Sequence, residues 1–539
     1  MAKKTEEQKT ERTSLILEYN LYSLPTAQHK AGLAGLLLMI ESMKMRKLQP
    51  VPDVLECSAT GAKFSLTKGS IQALLNDFFA AHYVEKETLE NGKEKERYFY
   101  KNVEPLGLFL QALYPANCDS WLRLWRGVVW KILRGKPTTR NVYTECADGQ
   151  PSSEADRIWN NLVKAQKNKT GRIMTERLVS SLFIGAQDSN AERVSFIGKP
   201  ENNLLLYFST IPSLTFAHKL ITNKGEIENA GYVLVIPEPI DLNTFTKDIK
   251  TFFKGLPSSQ TNFLPKDALI YIPEEGGLEY LYRFVHYSLA AVEIYHLEKR
   301  GNNIHTLAEE KIVPNLEVLE DYDNLRQTCL NPLYRAQRIR NLLAGTHWHE
   351  RMNSLFNSYP WEFFIGKEGK TPAKIPFFGN DVKKKFKHIE QELEVNKGRC
   401  TVDENVQDDQ LARRVYNLIK SYVNHKTEGK SGKRYEDFKN TKDEKGYVKY
   451  PEEYRETLGK VCSDAFLAMR GRREKDFTEY FTGTICSVPQ FLPEQDYLAV
   501  SQALINQWEK VKTLSMLALS ACSWSPKTRD KEHNTATEE

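Results

Sequence analysis

The run Leu24-Pro25-Thr26-Ala27-Gln28-His29-Lys30-Ala31-Gly32-Leu33-Ala34-Gly35-Leu36-Leu37-Leu38-Met39-Ile40 constrains the fold more than any other stretch of the chain. Pro25 can open a helix but not continue one, Thr26 is suited to cap it, and the following residues are apolar nearly all round as far as Glu41. A helix without a polar face has to be buried, so this segment is expected in the core of the N-terminal region. Gly32 and Gly35 each cost such a helix about 1 kcal/mol relative to Ala, a cost expected where another backbone packs closely. Gln28, His29 and Lys30 leave two readings open. Their turn could hold an anion at the free N–H groups and positive end of the helix dipole, or they could simply satisfy the turn's own polar groups.

With 539 residues the chain is long enough for more than one domain. Its first residues, Met1 to Glu7, have no apolar core, so no secretory signal is expected. No apolar run reaches the length of a membrane span. The eight cysteines (57, 118, 146, 329, 400, 462, 486, 522) form no C-x-x-C pair. They are therefore expected as reduced thiols in a cytoplasmic protein, not as a zinc ribbon or a disulfide framework.

The formal net charge is only +5, but it is unevenly spread. Residues 121–177 hold twelve Lys/Arg against five acids, and residues 367–475 hold twenty-six against nineteen. Basic stripes on a nearly neutral protein suggest defined polyanion tracks.

Along the chain, Ser14–Leu24 has strand character, Thr67–Ala81 reads as an amphipathic helix, and Tyr83–Leu89 with Lys95–Tyr100 reads as a hairpin around Asn91-Gly92. In Trp121–Lys136 the tryptophans are expected in the core while basic residues project and continue into the loop 136–141; Lys164–Arg177 reads as a second basic loop. Asn203–Ile211, Gly231–Pro237 and Ala268–Pro273 read as buried strands. Leu278–Arg300 and Tyr322–Leu343 read as long helices. Beyond a break at Gly366–Pro372, helices are expected at 381–396, 408–425, 452–470, 477–485 and 494–522. The fold class is thus α+β: a mixed N-terminal domain over 1–345, a connection over 346–380, an all-α bundle over 381–523, and a disordered tail over 524–539.

Enzyme signatures fall short. Gly369-Lys370-Thr371 matches the end of a P-loop, but Phe364 stands where its first glycine belongs. His349-Glu350-Arg351-Met352-Asn353 begins like a zinc-protease helix but has Asn353 in place of the second histidine. His347, His349 and Glu350 leave a metal-dependent nuclease as one further reading, weakened because histidines two apart diverge on a helix.

The motif Leu24 to Leu36, near the start of a chain of this length, resembles the large subunits of type I CRISPR effector (Cascade) complexes, specifically the I-B-like, or Myxan, branch. Gly231–Pro237 and the helical C-terminal third fit the same picture. The resemblance implies a non-catalytic subunit, without cofactor or metal, that recognises the protospacer-adjacent motif in duplex DNA and helps part the strands. It implies crRNA, target DNA and its displaced strand as partners. The protein partners it implies are the backbone, handle-binding, processing and small subunits and a helicase-nuclease. It further implies that a small subunit can arise by internal initiation, for which Met352 is placed.

For backbone grip the candidates in the N-terminal part are Lys131, Arg134, Lys136, Arg140, Lys167, Lys169 and Arg172. In the bundle they are Lys383, Lys384, Lys385, Arg413, Arg414, Arg470, Arg472 and Arg473. Arg470-Gly471-Arg472-Arg473 is the sharpest of these clusters, although at a helix end it could equally cap carbonyls. Asn190, Lys199, Asn202 and Asn203 are the candidate readers of the flanking motif. A scaffold that binds RNA or protein in another ribonucleoprotein remains the alternative.

Overall fold

The computed structural model describes residues 14–89, 97–115, 118–134, 137–167, 173–186, 195–255, 272–284, 288–301, 303–366, 375–395, 404–441, 448–487 and 493–523. Helices dominate, small antiparallel sheets lie in the N-terminal half, and the C-terminal part is helical, so the fold is α+β. By packing, the chain divides into two units. The first holds residues up to 319 apart from two short pieces; the second holds 320–539 with those pieces, 221–228 and 264–266. This division falls ahead of the 345/346 boundary expected from the sequence.

In the first unit, Leu15–Asn20 alternates buried and exposed residues, as a strand with one covered face must. It pairs antiparallel with Gly61–Leu66, which also pairs with Asp53–Cys57. The opening motif becomes the helix Ala27–Met45, with nearly every residue from Ala27 to Ile40 buried. Its glycines answer to a neighbouring backbone: a Cβ on Gly32 would lie 2.2 Å from the Leu205 carbonyl oxygen, and one on Gly35 2.1 Å from that of Phe208. The helix Lys68–Phe78 is fixed at its start by a reciprocal capping box between Thr67 and Ser70. Ala81–Leu89 and Arg97–Pro105 form the expected hairpin; its turn at Asn91-Gly92 lies outside the described residues.

Trp121, Trp125 and Trp130 are buried, as expected. They lie on the helix Cys118–Trp125 and on the π-helical segment Arg126–Leu133 that continues it. A four-stranded antiparallel sheet follows, in the order Asn303–Ile312, Leu289–Arg300, Ile227–Pro239, Leu214–Ile221. Val233 to Ile236 are fully buried in it, in keeping with the strand expected at Gly231–Pro237. Ala27 and Ala31 of the opening helix pack with Val128, Ile132, Leu234, Ile236, Tyr295 and Leu297 in one core cluster.

Two expectations fail here. Asn203–Ile211 is not a strand: Pro200–Leu206 is a helix, and the residues after it turn. Leu278–Arg300 is not one helix but the helix Pro273–Phe284 followed by the strand Leu289–Arg300. Ala268–Tyr271 lies outside the described residues.

The second unit is built on the helix Trp508–Ser523. Val511, Leu514, Met516, Leu517, Ala518, Leu519 and Ala521 are all buried there, and the helices Phe378–Val395, Glu404–Ser431 and Glu452–Arg470 pack against it. Two helices expected as single pieces are broken. Leu316–Thr328 and Pro332–Leu343 part at Asn331-Pro332, where the Asn331 side chain accepts from the Tyr334 N–H, and Glu494–Asn506 parts from Trp508–Ser523 at Gln507.

Candidate nucleic-acid interface

The first helical turn of Ala27–Met45 is occupied by the protein itself. Gln28 donates to the Ile184 carbonyl at 2.9 Å and accepts the Ile184 N–H at 3.0 Å, and the His29 ring meets the Thr26 hydroxyl at 2.8 Å. Burial pushes the His29 pKa down to about 4, so the ring is neutral at pH 7 and adds no charge for an anion. Lys30 pairs with Glu238 at 2.6 Å, and Lys311 holds the other oxygen of the same carboxylate at 2.7 Å. Only His29 satisfies its own turn; Gln28 and Lys30 are engaged by Ile184 and Glu238 of other segments.

Among the basic candidates of the first unit, Lys131 is exposed on the π-helical segment. The Arg134 guanidinium lies over the rings of Phe79 and Tyr207, 6.0 and 5.8 Å from their centroids. Arg140 donates to the carbonyls of Arg134 and Trp130 at 2.7 and 3.1 Å and stacks on Trp130, capping the segment in which Lys131 sits. Residues 137–147, expected to begin as a loop, form a helix that brings Arg140 back to that end. Lys136, Lys169, Arg172 and Asn190 lie outside the described residues, as does the side chain of Lys167.

Of the motif-reader candidates, Lys199 is exposed immediately before the helix Pro200–Leu206 and Asn202 is half-buried on its first turn. Asn203 is 4% exposed and its amide donates to the Gly198 carbonyl at 3.4 Å. That side chain supports the loop; it does not face solvent.

In the second unit the sharpest cluster is a helix terminus. Arg470 donates to the carbonyls of Asn357 and Tyr359, and Arg472 to those of Ala468 and Asp476. Lys512, buried, donates in turn to the carbonyls of Arg470 and Arg472 at 3.1 and 2.6 Å. Cations at the carboxyl end of Glu452–Arg470 satisfy its free carbonyls and complement its dipole. Arg473 remains exposed. Arg414 pairs with Asp496 at 2.6 Å, whereas Arg413 pairs with no described residue. Lys384 is exposed and donates to the Thr328 carbonyl at 3.4 Å; Lys383 and Lys385 are half-buried on the same helix.

The histidine pair settles differently from expectation. Residues 345–351 are turns and not helix, and the rings of His347 and His349 stack at 5.8 Å instead of diverging. His347 Nε2 lies 3.0 Å and His349 Nε2 3.5 Å from the same oxygen of Asp408, and Lys510 Nζ reaches both its oxygens at 2.9 and 3.0 Å. Burial alone would raise the pKa of this carboxyl. The nearby His349 ring, the hydrogen bonds from Lys510 and the charges of Lys510 and His347 outweigh it and hold the pKa at about 2. The arrangement is an ionic tie between three segments. Among the described residues no group of three or more metal-ligating side chains gathers.

Sequence reasoning missed how aromatic residues draw the basic ones together. Tyr334 and Arg338, four apart on Pro332–Leu343, stack with each other, and Trp348 lies beside both Arg338 and Lys385. The four-residue spacing was visible in the sequence; the turn that delivers Trp348 was not.

Comparison with known families gives two adjoining matches. Residues 51–292 match the Type I-B CRISPR Cas8b N-terminal domain and residues 289–522 match the Type I-B CRISPR Cas8b C-terminal domain. Together they place the chain among the large subunits of CRISPR effector complexes. It belongs to the Cas8b family, whose members form the large subunit of type I-B Cascade in CRISPR defence. No curated protein matches it. Among the described residues no helix is long and apolar enough to cross a membrane.

Proposed function

We propose that this chain is the non-catalytic subunit through which a crRNA-guided complex recognises the protospacer-adjacent motif in duplex DNA, and that it aids strand separation and helps recruit a helicase-nuclease. The match to both Cas8b domains over residues 51–522 carries the reading. In such a complex the guide reads the target by base pairing, which leaves the protein a short motif and the phosphate backbone.

The exposed cations support a division of labour. Lys131, and Lys199 with Asn202, serve the duplex end in the N-terminal part, Lys199 and Asn202 as motif readers. Arg473 and Lys384, with the half-buried Arg413, grip a strand along the bundle. Arg140, Arg470 and Arg472 hold the framework that presents them. The bundle has a second use: the helix Met352–Ser358 begins at Met352, and the helices that pack around Trp508–Ser523 all lie downstream, so an internal start there yields a small subunit.

The test is binding by the assembled complex to duplexes that share a target but differ in the flank. Tight binding with one flank, loss with the others, and a changed flank preference in Lys199→Ala or Asn202→Ala support the proposal. Lys131→Ala should weaken all flanks alike and lower the salt dependence. Flank-independent binding by the wild-type complex would overturn it and favour the scaffold reading, and divalent-metal-dependent cleavage by the purified chain, lost in His349→Ala, would favour a nuclease.

A further inference from the structure

In the first unit, two buried polar groups without a partner among the described residues line the same small cavity. Trp125 is 3% exposed, and its indole N–H meets no acceptor; Thr210 is 8% exposed, and its hydroxyl is likewise unpaired. The cavity measures ≈ 10 Å³ and is closed by Leu110, Tyr114, Trp121 and Phe253 among others. Every residue that lines it is buried.

An indole N–H or a hydroxyl taken out of water without a new partner is unfavourable, because it has given up its bonds to solvent and gained none. Either group alone could be an isolated defect of packing. Their meeting at one void points instead to a shared partner. The volume is close to the least that a water molecule needs, about 10–15 Å³, so nothing larger fits. The bonding capacity of the lining suits water as well. The indole can only donate, whereas a hydroxyl both donates and accepts. Ser213 also lines the cavity; its hydroxyl donates to the Ser209 carbonyl at 2.7 Å, which leaves its lone pairs to accept. A molecule that accepts from the indole and donates to a hydroxyl oxygen would therefore find two to three partners, as buried waters do.

We propose that this cavity holds one ordered water, which accepts the Trp125 N–H and bonds the Thr210 hydroxyl, with Ser213 as its third partner. The site joins two elements that are distant in sequence. Trp125 ends the helix Cys118–Trp125 and leads into the π-helical segment that carries Lys131, and Thr210 follows the helix Pro200–Leu206. The water is thus a tie between them. The inference does not rest on DNA recognition and stands if that reading fails.

The experiment is a crystal structure of the full chain at a resolution that shows ordered water, together with thermal unfolding of Thr210→Val. A density peak within hydrogen-bond distance of both Trp125 Nε1 and Thr210 Oγ1, about 2.7–3.2 Å, is expected. Thr210→Val keeps the shape of the side chain and removes its hydroxyl. With water in the site it takes away one of that water's partners and should melt below the wild type. In a dry site it removes an unpaired buried hydroxyl and should melt above it, so the sign of the shift decides. Thr210→Ser retains the hydroxyl and should retain the density. The proposal is overturned if the wild type shows no density there, or if Thr210→Val melts with or above the wild type. The Trp125 N–H would then be left to the face of Phe109 or Phe78, whose rings stand at 86° and 88° to the indole.

Discussion

Gly35→Ala tests the backbone approach at the opening helix. In an exposed helix the substitution stabilises, by about 1 kcal/mol. Here the added methyl would lie 2.1 Å from the Phe208 carbonyl oxygen and 2.8 Å from its carbon, more than 1 Å inside ordinary contact. The obstacle is a backbone, which cannot swing aside as a flexible side chain can, so the helix or the segment 205–208 has to move. Overpacking of a close-packed core costs typically 1–3 kcal/mol, and the propensity gain offsets part of it. The expected net loss is about 1–2 kcal/mol, enough to lower the melting temperature by several degrees. Gly32→Ala presses the same segment through Leu205 and should behave alike. The double variant should lose less than the sum, because one displacement accommodates both methyls. Gly429→Ala is the control: it lies in the helix Glu404–Ser431 with no atom within 4 Å of its added Cβ, and should hold or gain stability. Thermal unfolding of the four variants decides the matter. A Gly35→Ala chain that melts with or above the wild type would refute the reasoning.

Asp408→Asn should cost about 2 kcal/mol near neutral pH. The folded pKa is depressed to about 2, so the contribution is full above the unfolded carboxylate pKa and fades as pH falls towards 2; urea midpoints of wild type and variant should converge over that interval. Lys512→Met removes the donor to two helix-terminal carbonyls and should destabilise the chain by about 2 kcal/mol, whereas Arg413→Ala should leave melting unchanged while lowering DNA affinity of the complex and its salt slope by about one. Met352→Leu, a volume-conserving change at a buried site, should keep the full-length chain folded and abolish the short internal product on immunoblots; persistence of that product would exclude Met352 as its start.

How much of this could be read from sequence depended on whether the signal was local. Leu15–Asn20 alternates, and Lys68–Phe78 has a cap and a 3.6-residue stripe, so both were legible. Leu204 to Phe208 is buried on all sides, and without a polar face its period is invisible. The better clue to that helix was Pro200 followed by Glu201, a start signal, and Asn331-Pro332 likewise marked the break in Tyr322–Leu343. In 278–300 the β-branched and aromatic content of Val292, Ile294 and Tyr295 pointed to a strand, but a long apolar run read as a helix. For the candidate interface, the helix-end position of Arg470 and Arg472 allowed carbonyl capping to be read, but the partners of Arg140, Arg414 and Arg470 come from other elements and were not legible.

The order in which the bundle is assembled follows from its innermost helix. Trp508–Ser523, against which three earlier helices pack, comes after all of them in the chain, and Lys510 and Lys512 complete ties to segments made long before it. Until it emerges from the ribosome those helices have a cleft where their shared partner belongs, and their apolar faces stay open to chaperones or to one another. The bundle therefore cannot close until residue 523 has been made, and a premature stop anywhere before residue 508 leaves a bundle without its axis.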